Sequence, residues 1–266
     1  MSQVILQNKI QKDYRLFQKR LSNQLTQVTA DMLSGMNSIA SYAFYQCSNL
    51  IGITIPNSVT SISDSAFEQC SKLNSISIPD TVTRIKSKAF KDCQLLTGIS
   101  LPNGLLSISD YAFANCRAIE SIDIPQSVTS IEMYAFSGCS LLTSVTLPQG
   151  INKISMYCFS ECLALSSINI PSSITSIETY AFAKCKGLAS ITVPQNVNSI
   201  GQSAFYDCNI LESVTVQATT PPTLGSGVFS STHADLVIYV PAESVDTYKA
   251  ASGWSYYASK IQAIPS

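Results

Sequence analysis

The chain has 266 residues, 45% of them hydrophobic and only 12% charged, with a formal net charge of −1. Charge is at about half of the ~25% usual in soluble domains, and Ser, Thr, Asn and Gln take its place. Without a Lys/Arg run, long-range attraction of nucleic acid or anionic lipid is not expected, and no stretch approaches the ~18 apolar residues of a membrane span, so no membrane insertion is expected.

Residues 1–35 form the first predicted segment. Ile10, Tyr14, Phe17, Leu21, Leu25, Val28 and Met32 recur at steps of three and four, the stripe of an amphipathic helix. A helix from Ser2 to Leu33 would be roughly 48 Å long. Two roles fit it. The stripe folds onto the body as a cap, or Ile10, Tyr14, Phe17, Leu21 and Leu25 pair with further copies, giving a homo-oligomer or an anchor to a larger assembly. A break near Thr26 to Asp31, where QVTADML echoes a strand, favours the cap. The start lacks a basic region followed by an apolar core and a small-residue cleavage site, so it reads as a chain outside the secretory route or as a mature form.

Residues 36–217 are one phrase repeated. Cys47, Cys70, Cys93, Cys116, Cys139, Cys162, Cys185 and Cys208 fall 23 residues apart, as do Phe44, Phe67, Phe90, Phe113, Phe136, Phe159, Phe182 and Phe205. A fixed period of this length predicts a solenoid in which each unit covers its neighbour's apolar face. Within LNSISIPDTVTRIKSKAFKDC, residues 73–93, the segment Leu73-x-x-Ile76-x-Ile78 predicts a strand that Pro79 ends, because proline has no amide for a ladder. Val82-x-x-Ile85 predicts a second strand, and Ala89, Phe90 and Cys93 return to the core from a turn or short helix. Columns of equivalent cysteines read as small apolar core residues with free thiols. Cys158 replaces an alanine, and its spacing from Cys162 weighs less for zinc than for packing, since the chain has one histidine. With rungs about 4.8 Å apart, eight repeats give a body of roughly 38 Å.

The phrase I-x-I-P-x-x-V-T-x-I-x-x-x-A-F-x-x-C, running from Met36 to Val216, resembles the BspA-like leucine-rich repeat family of microbial cell surfaces and some phage structural proteins. The resemblance implies a right-handed parallel β solenoid and recognition of a protein or glycan on a host or partner surface. It implies no particular ligand, because the matching residues are core residues.

Residues 218–266 resemble the α/β module that often closes such arrays. Here Thr220-Pro221-Pro222 is expected to stop the period, Leu236–Val240 to form the last strand, and Ala242–Ala251 to form a helix with Tyr248 inward. Gly253 ends the helix, and Trp254, Tyr257 and Ile261 supply apolar cover. The whole reads as an α+β repeat solenoid with an N-terminal helix and a C-terminal α/β cap.

Catalytic chemistry finds no footing in this chain. His233 is expected in a loop, no phosphate loop, carboxylate pair or metal cluster is evident, and no cofactor is called for. Binding has two candidate surfaces. One is the outward strand face, with the columns Thr54, Ser77, Ser100, Asp123, Thr146, Asn169, Thr192, Thr215 and Gly52, Ser75, Gly98, Ser121, Ser144, Ser167, Ser190, Ser213. These lack the Trp, Tyr and Arg of strong protein interfaces. The other precedes the Ala-Phe pair: Tyr111, Tyr134, Tyr157 and Tyr180 occupy consecutive rungs, either as ligand-binding aromatics or as packing over the turn. The expected setting is a cell surface or a virion, with the solenoid displayed from a particle or, alternatively, spacing its two ends as a scaffold.

Overall fold

The computed structural model describes residues 25–265. They form a parallel β solenoid of about ten turns. Each turn has three sides, and equivalent residues lie over one another. On the first side Gly52 pairs with Ser75 and Ser75 with Gly98; on the second, Ser61 pairs with Arg84 and Arg84 with Ser107, all parallel. The strands are two to four residues long, as expected where proline follows the first strand in seven of the eight repeats, Gln217 standing in its place in the last.

The third side is the Ala-Phe-x-x-Cys turn, and it carries a ladder of its own. Tyr111, Phe113 and Asn115 donate their amides to the carbonyls of Met133, Ala135 and Ser137 in the next rung, at 2.9, 2.8 and 2.7 Å. The amides between them, at Ala112 and Ala114, donate back within the turn to Ser109 and Tyr111. This alternation depends on left-handed backbone at two positions, φ 57° at Tyr111 and 59° at Asn115, which turns alternate amides along the axis. The same pair recurs in the other rungs, for example at Ser65 and Gln69 or Ser203 and Asp207. A helix was the other option, but helical amides would all point back into their own turn and leave the rungs unjoined.

Inside, Phe44 through Phe205 are wholly buried and stack with ring centroids 5.2–5.7 Å apart, nearly parallel. All nine cysteines are buried free thiols. Seven of the repeated cysteines donate Sγ–H to the phenylalanine carbonyl of the preceding rung, as Cys116 does to Phe90 at 3.1 Å.

Two expectations about the ends are corrected. Over residues 25–33 the predicted helix is replaced by the strand Gln27–Val28 and a 3-10 turn at Ala30–Leu33. Gln27–Val28 pairs in parallel with Gly52–Ile53, and Ile51 donates to the Thr26 carbonyl at 2.8 Å. Backbone pairing to the next rung outweighs the helical spacing of Leu25, Val28 and Met32. Val28 is core, and Leu25 and Met32 are partly buried against it. The remaining stripe residues, Ile10, Tyr14, Phe17 and Leu21, lie outside the described residues.

At the other end the period does not stop at Thr220-Pro221-Pro222. Val193 pairs with Val216, 23 residues on, but Ile200 pairs with Leu224, 24 residues on. One extra residue is absorbed in between, and the stack runs on through Phe229, 5.7 Å from Phe205. Nor is Val237–Val240 the last strand, because Ile261–Ala263 adds to it in parallel. Tyr248 and Trp254, fully buried, donate Oη–H and Nε1–H to the carbonyls of Ala218 and Pro222, both at 2.7 Å. The backbone bulge left by the extra residue is thereby satisfied. Trp254 and Tyr257 also lie against Phe229, the final ring of the stack.

Candidate recognition surface

Tyr111, Tyr134, Tyr157 and Tyr180 are brought together as one ladder. Their ring centroids are 4.4, 4.5 and 4.8 Å apart and neighbouring planes diverge by 6–9°. All four are left-handed, with φ of 55–58°, a conformation that costs an L-residue about 1–2 kcal/mol. All four are partly exposed. Burial, then the neighbouring Tyr111 and Tyr157, pushes the Tyr134 hydroxyl above its ordinary range.

Ring orientation decides what such a row can do. At these separations each inner face is covered by the next tyrosine, so the ladder offers ring edges and a line of hydroxyls. The flat sugar platform that an aromatic row suggests is available only on the outer faces of Tyr111 and Tyr180. The first of these looks toward Lys88, whose Nζ is 6.0 Å from the ring centroid. Beyond Tyr180 the column ends in the small, buried Ser203.

Four residues on, the second left-handed column forms a polar ladder that sequence reasoning missed. Gln46 donates to Gln69 at 2.9 Å, Asn115 to Asp92 at 2.8 Å, and Lys184 to Glu161 at 2.7 Å. Gly138 interrupts it, because a Cβ there would lie 2.2 Å from Asn115 Oδ1. A signal for both columns is present in the sequence: neither contains Val, Ile or Thr, the residues least able to adopt positive φ, and the second contains Asp92, Asn115, Gly138 and Asp207.

The outward strand columns are exposed almost throughout. The exceptions are Gly52, buried beneath the Gln27 side chain, and Ser213 and Thr215 of the last repeat, which are half-buried. Among the described residues no group of three or more His, Cys, Asp or Glu is placed to hold a metal ion. Burial raises the thiols, Cys47, Cys139 and Cys208 to about 12 and Cys93 well above its usual range, so they stay protonated and unreactive at neutral pH. His233 accepts the Asp235 amide at 3.2 Å in its loop.

The profile of the BspA type leucine rich repeat region matches in six copies, over residues 15–125 and 106–234. Among solved structures, a leucine-rich repeat protein from Bacteroides ovatus is 33% identical with a TM-score of 0.60, over 76% of this chain and 58% of its own. The chain thus spans a little over half the length of that protein. The leucine-rich repeat protein of T. pallidum is 31% identical, TM-score 0.57, over 62% of this chain and 78% of its own. A leucine rich cell surface protein from Faecalibacterium prausnitzii is 27% identical, TM-score 0.51, over 86% of this chain and 67% of its own. No curated protein matches.

Proposed function

Because this chain belongs to the BspA-type leucine-rich repeat family, we propose that it is a non-enzymatic recognition protein that binds a protein or glycan on a host or partner surface through the tyrosine ladder. The observation that carries this reading is that folding does not require tyrosine in that column. Ser65, Lys88 and Ser203 adopt the same left-handed turn, with φ of 53°, 57° and 53°, and Phe67, Phe90 and Phe205 behind them are as deeply buried as the rest. Four consecutive partly exposed tyrosines are therefore surplus to the architecture, and aromatic side chains provide large contact area at low entropic cost. The cell-surface description of the Faecalibacterium relative supports a displayed role. The test is the double variant Tyr134→Ser/Tyr157→Ser, compared with the unmodified chain for binding to a panel of host-cell surfaces, matrix proteins and glycans. The reading expects at least a tenfold loss of binding with little change in Tm; retained binding with a large fall in Tm assigns the tyrosines to packing and overturns it.

The stripe of Ile10, Tyr14, Phe17 and Leu21 ahead of the first rung favours a finer version, in which this segment holds copies together or anchors the solenoid to a phage-like particle. The strand at Gln27–Val28 decides where the segment can be cut: a chain beginning at Leu25 keeps the first rung, whereas one beginning at Met36 would strip it. An oligomer that becomes a monomer on this cut supports anchoring and display. A monomer in both forms leaves residues 1–24 as end cover, and a monomer that also binds no surface points to the scaffold alternative.

A further inference from the structure

The first sheet is not continuous. It runs from Gln27–Val28 to Gly98–Ile99, resumes from Ser121–Asp123 to Ser167–Ile168, and resumes again from Ser190–Val193 to Ile261–Ala263. Each break opens a cleft on the outer face, about 610 Å³ between Gly98–Ile99 and Ser121–Asp123 and about 540 Å³ between Ser167–Ile168 and Ser190–Val193. Burial follows the same two breaks. In the strand column Ile53, Ile76, Ile99, Ile122, Val145, Ile168, Ile191 and Val214, only Ile99 and Ile168 are partly buried, while the others are at most 8% exposed.

The two clefts are equivalent. Gly98 and Ser167 are 69 residues apart, three repeats, as are Ser100 and Asn169, Ser121 and Ser190, and Asp123 and Thr192, which places the clefts about 14 Å apart along the axis. Their chemistry matches as well. Amides and hydroxyls line both: Ser100, Asn103, Ser121 and Gln126 in one, Asn169, Ser172, Ser190 and Gln217 in the other, over the aliphatic Ile99 and Ile168. Neither contains a lysine or arginine, and the single ionisable group, Asp123, already accepts the Thr146 hydroxyl at 3.0 Å.

We infer that the two clefts are paired subsites for one neutral linear glycan lying along the outer face of the first sheet. Side-chain amides and hydroxyls over aliphatic carbon complement uncharged vicinal hydroxyls and the C–H face between them. A site repeated by translation fits a ligand repeated by translation, which a polysaccharide is and a folded protein surface is not. The clefts also lack the aromatic and arginine anchors that dominate protein interfaces. This surface is separate from the tyrosine ladder, and the inference does not rest on that ladder.

The test uses the full chain and neutral linear gluco- and manno-oligosaccharides from dimer to decamer, with affinity measured by calorimetry. Engaging the second cleft in the same chain multiplies affinity by about 10²–10⁴, so at least one series should gain 100-fold or more between dimer and decamer. Ser121→Tyr or Ser190→Tyr, each filling one cleft at an exposed strand position, should bring the decamer back to within tenfold of the dimer. Thr54→Tyr, on an unbroken stretch of sheet, should leave it unchanged. Circular dichroism establishes that each variant is folded. No binding by any oligosaccharide, no gain with length, or a gain that survives both cleft variants overturns the inference. Loss with Tyr134→Ser/Tyr157→Ser while both cleft variants still bind would also overturn it, and would assign the glycan to the ladder.

Discussion

Each rung from Phe113 to Phe182 carries a phenylalanine inside and, two residues earlier, a tyrosine outside, and the two columns obey different rules. The phenylalanines extend without exception from Phe44 to Phe205 and are wholly buried. The stacked tyrosines occupy four adjacent rungs, partly exposed, and give way to Lys88 on one side and Ser203 on the other, with a further exposed tyrosine, Tyr42, in the first repeat. Stacking is common to both, but only the inner stack is required by it. A phenylalanine removed from the middle leaves a void between two rings that the ladders hold in place, whereas a tyrosine removed from the surface is replaced by water. Outer columns are therefore where this solenoid is free to vary, and where its contacts must be sought.

The largest expected effect concerns the sealed interior as a whole. The thiols are protonated in the folded chain because burial raises them, to about 12 for Cys139 against an ordinary 9.0. Above the ordinary value the unfolded chain releases these protons and the folded chain does not. Stability is thus at its full value below about pH 9 and falls as pH rises toward the folded values, by about 1.4 kcal/mol per pH unit for each buried thiol. Urea unfolding at intervals from pH 7 to 10 checks this, and a flat profile above pH 9 would mean that the cysteine column is wet. Phe136→Ala comes next, with an expected loss of about 3–5 kcal/mol from the cavity between Phe113 and Phe159, read from the same unfolding curves. Tyr248→Phe at the end of the stack should cost about 1–3 kcal/mol, since it leaves the Ala218 carbonyl buried without its donor. The smallest effect on stability is expected for Tyr134→Ser/Tyr157→Ser; if that pair cost as much as Phe136→Ala, the distinction between the columns would collapse.

The body was legible because a perfect 23-residue period requires equivalent residues to share an environment, and Phe and Cys at fixed places can share only the core. The ends were less legible. Leu25, Val28 and Met32 fit a helical stripe, and that spacing cannot register the backbone of Gly52–Ile53 waiting for a partner. The extra residue near Thr220-Pro221-Pro222 resembles a stop, since proline breaks ladders in general, yet Tyr248 and Trp254 donate to the carbonyls it exposes and the stack continues. At the candidate surface the membership of the tyrosine row was readable from spacing, while the orientation of its rings was not.

What the amino-acid sequence determined by itself is the repeat, the inward columns and the absence of any obligation on the outer ones, because translational symmetry assigns every copy of a residue the same burial. Only the tertiary structure decided that the tyrosines close their faces against one another, that positive-φ turns join the rungs, and that the first sheet parts at two places three rungs apart. These depend on small offsets between neighbouring rungs, and such offsets are summed over contacts from both sides of each turn instead of being carried by the residues of any one repeat.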